Sequence, residues 1–82
     1  REFTLMFSGV DKALFDDIRR RLMKGSKWEY QTADFKQRVV YVNYEGNPDM
    51  LSDMVQMYLE GAEIDIGVGE FSAGRNKIIF GQ

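Results

Sequence analysis

Two residue types are missing from this 82-residue chain, namely cysteine and histidine. Without cysteine the chain can form no disulfide and no thiolate metal site. Without histidine it lacks the commonest general base and metal ligand at neutral pH. These absences exclude Ser-His and Cys-His nucleophile systems, so we expect a protein without catalytic residues, metal site or cofactor.

Long apolar runs are also absent, since no stretch of the sequence is long enough to span a bilayer. Neither charge sign is in large excess, because 11 basic and 13 acidic residues leave a formal net charge of −2. That balance argues against a general polyanion binder. The chain begins with Arg1 rather than Met and has the length of one domain, so we expect a single domain, residues 1–82, excised from a longer protein.

The apolar residues that are present follow the same order twice. A first half of about residues 2–36 and a second of about 38–72 each contain an alternating stretch, a helix-like stretch and another alternating stretch. Alternation with period two is typical of strands with one buried face, and apolar residues three or four apart are typical of helices. Two helical stripes correspond in position: Leu14, Ile18 and Leu22 with Leu51, Val55 and Leu59.

Capping residues mark the predicted helix starts. Asp11 precedes the first stripe, where its carboxylate can accept a free amide hydrogen of the first turn. Asn47 precedes Pro48, which suits the first helical position because its missing N–H removes no hydrogen bond there. Gly25 and Gly61 follow the two stripes, and we expect each to end its helix, Gly25 in the left-handed conformation.

Two strand-helix-strand units predict an α+β fold, the ferredoxin-like βαββαβ sandwich. Its antiparallel sheet has the order 4-1-3-2, and both helices cover one face. Ile64, Ile66 and Val68 alternate and are predicted to form the fourth strand. A C-terminal strand at about residues 76–81 is predicted to pair with strand four as a hairpin, on its free edge, or to begin a third repeat.

The same alternation predicts which strand residues face away from the helices. Met6 on the first strand and Val39, Tyr41 and Asn43 on the third belong to this outer face. Because strands one and three are central, these residues are predicted to form a small apolar and aromatic patch. Such a patch can receive a protein partner, or it can be covered by long neighbouring side chains or another domain. The unpaired edge strands are a second candidate for association.

A basic cluster lies near the end of the first helix and consists of Arg19, Arg20, Arg21 and Lys24. Cations there complement the negative end of the helix dipole, and two aspartates one turn earlier can pair with the arginines. RNA-recognition domains stack bases on several sheet aromatics, whereas Tyr41 is the one well-placed aromatic here. We therefore expect a solvated helix end, with nucleic-acid binding as the alternative.

Helix two contains more methionine than its core face requires. We expect that Met50, Met54 and Met57 do not all point in the same direction, because Met50 and Met57 flank the apolar stripe to which Met54 belongs. Methionine side chains of this kind fill the edges of a core or form adaptable contact surfaces.

The segments "LMFSGVDKALFDDIRRRL" and "VVYVNYEGNPDMLSDMVQMYLEGAEIDI" contain a glycine after the first strand and a Tyr-x-Gly motif, Tyr44 to Gly46. In these features nearly the whole chain resembles small ferredoxin-like modules of bacterial envelope proteins and lipoproteins. The resemblance implies a non-catalytic module that helps to assemble a larger structure in the cell envelope or periplasm. Ring-building modules of secretion systems share this topology, and they support the same suggestion only by analogy.

These observations predict a non-enzymatic protein-interaction or assembly module. Its partner would be another protein, other domains of the parent chain, or a second copy, and it would not insert into a membrane. Two alternatives remain, a nucleic-acid-binding domain that uses the basic cluster and a small-ligand regulatory domain that acts as a dimer.

Overall fold

The computed structural model describes residues 1–81, which form two α-helices and a five-stranded sheet. Neither helix in this range is long and apolar enough to cross a membrane. In chain order the elements are β1 (Glu2–Ser8), α1 (Lys12–Met23), β2 (Glu29–Asp34), β3 (Val39–Asn43), α2 (Pro48–Gly61), β4 (Glu70–Ser72), a 3-10 turn (Ala73–Arg75) and β5 (Lys77–Gly81).

The strands form one mixed sheet in the order β2-β3-β1-β5-β4. Neighbouring strands are antiparallel except β1 and β5, which are parallel. The predicted α+β class is therefore confirmed, but the predicted 4-1-3-2 order and the fully antiparallel sheet are wrong. The order β2-β3-β1 agrees with the prediction, and the difference lies in the strand on the other side of β1.

The segment that was predicted as strand four explains this difference. Ile64 and Ile66 are buried, but residues 62–69 form no strand. Glu63 (φ 62°) and Gly67 (φ 73°) have left-handed backbone conformations, which interrupt the extended geometry that strand pairing needs. The two isoleucines therefore reach the core from an irregular connection, while Val68 is 73% exposed.

The last strand occupies the interior position beside β1. The predicted C-terminal strand forms as β5, but its antiparallel neighbour is Glu70–Ser72 instead of the predicted strand of Ile64, Ile66 and Val68, and β5 lies between β4 and β1 instead of on a free edge. Ile78 and Phe80 are fully buried, whereas every residue of β4 is exposed. The segment with two large apolar side chains takes the interior position because more apolar surface is removed from water there. Phe80 also stacks on Phe7 of β1, with ring centroids 5.2 Å apart.

Both helix starts are as predicted. Asp11 Oδ1 accepts a hydrogen bond from the N–H of Leu14, and Asn47 Oδ1 accepts one from the N–H of Met50, each at 2.8 Å. Pro48 is the first residue of α2. Each cap therefore satisfies one of the amides that lack a carbonyl partner in the first turn.

Of the two predicted helix ends, that of α2 at Gly61 is confirmed and that of α1 at Gly25 is wrong. Helix α1 ends at Met23, and Gly25 does not have a left-handed φ. Gly25 instead lies against Trp28, where an added Cβ would be 2.6 Å from Cε2 of the indole. Helix α2 includes Gly61 as its last residue, and the left-handed residue beyond it is Glu63. Position 25 therefore requires glycine because a Cβ there would collide with Trp28, not because of its backbone conformation.

One hydrophobic core lies between the sheet and the helices. The sheet residues that contribute to it occupy alternate positions along their strands, so both helices cover the same face. The most deeply buried members are Phe3, Leu5, Phe7, Phe15, Ile18, Leu22, Val40, Val42, Leu51, Val55, Leu59, Ile78 and Phe80.

Candidate functional site

The strand residues that alternate with the core residues form the other face of the sheet, called the open face from here on. Strand register places Met6 of β1 opposite Val39 of β3 and beside Ile79 of β5. These three side chains therefore form an apolar row across the three central strands. Tyr41 lies in the next row, opposite Thr4.

The four predicted contact residues all belong to strands β1 and β3 and point to this face, but they differ in exposure. Met6, Tyr41 and Asn43 are half-buried and still present surface to solvent. Val39 is only 2% exposed and is not part of the core beneath the helices. It is covered on the open face by its neighbours, so it can support a contact surface but offers little area of its own.

Ile79 is an apolar member of the open face that the sequence interpretation missed. It is half-buried and lies directly beside Met6. The alternation in "KIIFG" places Ile79 opposite in direction to the buried Ile78 and Phe80. That signal was present in the sequence, but it became useful only once β5 was known to pair with β1.

Carboxylates surround the apolar row. The register places Glu2 and Glu29 opposite Asn43, Asp34 opposite Val39, and Glu70 opposite Ile79. The acidic rim is therefore defined as Glu2, Glu29, Asp34 and Glu70. Lys77 is the basic residue that the strands place on the open face. Within residues 1–81 no member of the acidic rim forms a salt bridge, although the charge of Lys36, in the connection between β2 and β3, acts on Asp34.

Hydrogen bonds hold two rim carboxylates in place. Glu29 Oε1 accepts hydrogen bonds from Gln31 Nε2 at 2.9 Å and from Asn43 Nδ2 at 3.4 Å. Asp34 accepts from the backbone N–H of Gln37 at 3.2 Å and from its side-chain amide at 3.0 Å. The backbone hydrogen bond from Gln37, followed by the side-chain one, lowers the pKa of Asp34 below its ordinary value. Asp34 is therefore an anion at neutral pH.

The predicted basic cluster is largely neutralised along α1. Asp16 pairs with Arg19 at 2.7 Å and with Arg20 at 2.6 Å, and Asp17 pairs with Arg21 at 3.2 Å. The hydrogen bond from Arg19 is the main reason that the pKa of Asp16 is lowered, and the same bond raises the pKa of Arg19. These ion pairs follow the predicted spacing and leave a solvated helix surface instead of a concentrated positive patch.

Arg19 and Lys24 of this cluster differ in their surroundings. The guanidinium of Arg19 lies 5.2 Å from the ring centroid of Phe35, which fixes it beside the sheet. Lys24 is exposed at the end of α1 and forms no salt bridge within the described residues. The cluster therefore offers one unpaired cation where a nucleic-acid site would need several.

A cleft of about 460 Å³ opens at the carboxyl ends of the parallel strands β1 and β5. Ligands of α/β proteins often bind at such strand ends. Asp65 is the one charged residue among those that line it, so the cleft contains no acid–base pair. Within residues 1–81, no cluster of three or more Asp and Glu side chains could hold a metal ion.

No protein-family model, curated protein or solved structure matches this chain. The resemblance to bacterial envelope modules therefore stays a prediction. Functional assignment depends on the chemistry of the open face and of the other surfaces of the domain.

Proposed function

We propose that this domain is a non-catalytic interaction module that binds a partner protein on the open face. The observation that carries this proposal is the apolar row of Met6, Val39 and Ile79 across the central strands, with Tyr41 beside it. Both helices lie on the opposite face, and Met6, Val39 and Ile79 do not belong to the core cluster beneath those helices. Apolar and aromatic side chains at the centre of a polar surface are typical of protein interfaces.

The exposed edges of the sheet are poorer docking sites than the face. Strand β4 has only three residues, which limits the number of backbone hydrogen bonds that it could offer. Strand β2 is interrupted between Tyr30 and Thr32, where Gln31 is the extra residue of a bulge. Short and bulged edges are devices that discourage pairing with another chain. The face is therefore the better-supported surface.

The acidic rim indicates the chemistry of the partner. A partner that buries Met6, Tyr41 and Ile79 must approach four carboxylates, against which the strands supply one cation, Lys77, and the connection between β2 and β3 supplies Lys36 near Asp34. We infer a partner whose docking surface has an apolar centre surrounded by lysine or arginine. A second copy of this chain would bring two acidic rims together, which like-charge repulsion disfavours.

Site-specific photo-crosslinking in the organism that encodes the protein tests this proposal. A photoreactive phenylalanine analogue replaces Tyr41 in one variant and Phe71 in a matched control. Phe71 is 37% exposed and pairs with the core residue Ile78, so it points to the helix side of the sheet. We expect a specific heterologous adduct from position 41 and none of that mass from position 71.

Competition distinguishes a true docking partner from a chance neighbour. Excess wild-type protein should suppress the adduct, whereas the double variant Met6→Ala, Tyr41→Ala should not. The proposal is wrong if no specific adduct forms from position 41, or if the double variant competes as well as wild type. An adduct between two copies of this chain would contradict the inferred basic partner.

A further inference from the structure

A second apolar surface lies away from the open face, between the loop that follows α1 and helix α2. It is a groove of about 280 Å³. The residues that line it and matter for its chemistry are Gly25, Lys27, Trp28, Met54, Met57 and Tyr58. Trp28 is the one tryptophan of the chain.

The aromatic walls of this groove are fixed in position. Trp28 Nε1 donates a hydrogen bond to the carbonyl of Leu22, and the Tyr58 hydroxyl donates one to the carbonyl of Arg21, each at 2.9 Å. Both carbonyls belong to the last turn of α1, where each also accepts a backbone hydrogen bond, that of Arg21 from Lys24 and that of Leu22 from Gly25. The two rings meet edge to face with centroids 5.5 Å apart. A pre-organised site of this kind loses little conformational entropy when a ligand binds.

Methionines supply an adaptable third wall. Met57 is 70% exposed although it is apolar, and Met54 beside it is half-buried. Neither side chain belongs to the buried core cluster, although Met54 packs against it. Flexible thioether side chains next to rigid Trp and Tyr rings can adjust to the shape of an inserted apolar group. This composition matches that of the binding centres of protein interfaces.

The charges around the groove have a definite direction. Lys27 lines the groove and Lys24 is exposed in the same loop region, whereas no carboxylate lines it. The nearest acidic residues along α2 are Asp53 and Glu60, four residues before and three residues after Met57. The loop side of the groove is therefore basic and the helix side acidic.

We propose that this groove binds a short protein segment in which one bulky apolar side chain is flanked by aspartate or glutamate. The apolar side chain packs in the groove against Trp28, Tyr58 and Met57, and the acidic residue lies over Lys27 and Lys24. This site is independent of the open face and carries the opposite charge preference, so one module can contact two chemically different partners.

Selection from a library of random 12-residue peptides displayed on phage tests the proposal. We expect the enriched peptides to share a Trp, Phe, Leu or Met next to Asp or Glu. Synthetic versions should change the fluorescence of Trp28 in a saturable way, which gives the Kd directly. Met57→Glu should raise that Kd about tenfold or more, and Lys27→Glu about threefold or more.

Met50→Glu is the matched control for Met57→Glu. Met50 is 54% exposed on the same helix but does not line the groove, so the Kd should stay within about twofold of wild type. The proposal is overturned if no peptide of this composition is enriched. It is also overturned if the enriched peptides bind the Met57→Glu variant as tightly as wild type, or lose affinity with Tyr41→Ala instead.

Discussion

At the scale of single residues, the end of α2 depends on a glutamate in a conformation that glycine adopts more easily. The N–H of Glu63 bonds to the carbonyl of Glu60 at 2.8 Å, and the N–H of Ile64 bonds to that of Leu59 at 2.9 Å. This is the Schellman pattern, in which the residue after the cap is left-handed. Glu63 fills that position with φ 62°. Its Cβ makes this conformation costly, by about 1–2 kcal/mol.

We predict that Glu63→Gly raises the free energy of unfolding by roughly 0.5–1 kcal/mol, because relief of the left-handed strain exceeds the entropy that glycine adds to the unfolded chain. Glu60→Gly is the matched control, since Glu60 lies in the last turn of the same helix. There glycine should lower the free energy of unfolding by about 1 kcal/mol. Urea denaturation of the three proteins measures both changes, and a lower stability for Glu63→Gly would contradict the assignment.

The structural role of a residue could be predicted from the sequence where its pattern has one physical explanation. Asp11 and Asn47 were found as caps because a short polar acceptor before a helical stripe has few other uses. Glycine is ambiguous, since it can supply a left-handed φ or simply leave space. At Gly25 the space for Trp28 is what matters, and that contact joins residues from a loop whose path the sequence does not show.

At the scale of elements, the central finding is the insertion of β5 between β1 and β4. Two segments competed for the position beside β1, residues 64–68 and residues 77–81. Both contain apolar residues two positions apart, so periodicity alone could not decide between them. The left-handed residues Glu63 and Gly67 count against the first segment, and neither position was identifiable from the sequence. The order of the strands in the sheet is thus the part of the fold that the local hydrophobic pattern does not determine.

A pair of isoleucine substitutions in β5 tests its placement. Ile78 is fully buried in the core, whereas its neighbour Ile79 is half-buried on the open face. We predict that Ile78→Ala lowers the free energy of unfolding by about 2–5 kcal/mol, because it removes a packed side chain from between the sheet and the helices. Ile79→Ala should cost less than about 1.5 kcal/mol, since much less area is buried there.

Chemical denaturation of the two variants provides the comparison, and the same residue type in adjacent positions makes the pair self-controlled. Equal costs for Ile78→Ala and Ile79→Ala would mean that β5 does not separate a buried face from an open one. Its interior position in the sheet would then be wrong.

At the scale of the whole molecule, the domain carries two apolar surfaces with different charge surroundings. The open face has an acidic rim, and the groove beside Trp28 has lysines on its loop side. The net charge of −2 conceals this separation, because composition averages over all surfaces. Under the two proposals above, the domain would bind two partners of opposite charge, one on each side of the sheet.

Part of the open face was predictable and part was not. The alternation of side chains along each strand correctly placed Met6, Tyr41 and Asn43 on the open face, because this alternation does not depend on strand order. The contribution of Ile79 depends on which strands are neighbours. The burial of Val39 depends on how the side chains around it are arranged on the sheet. Both are properties of the assembled sheet, which one sequence cannot supply.

The most direct test of the open-face proposal is calorimetric titration of the partner captured by crosslinking. We predict that Tyr41→Ala and Met6→Ala each raise its Kd about fivefold or more, the effect of losing an interface anchor. Val68→Ala, a change at an exposed apolar residue outside the open face, should leave Kd within about twofold. If both open-face variants bind within twofold of wild type while retaining their circular dichroism spectra, the open face is not the docking surface.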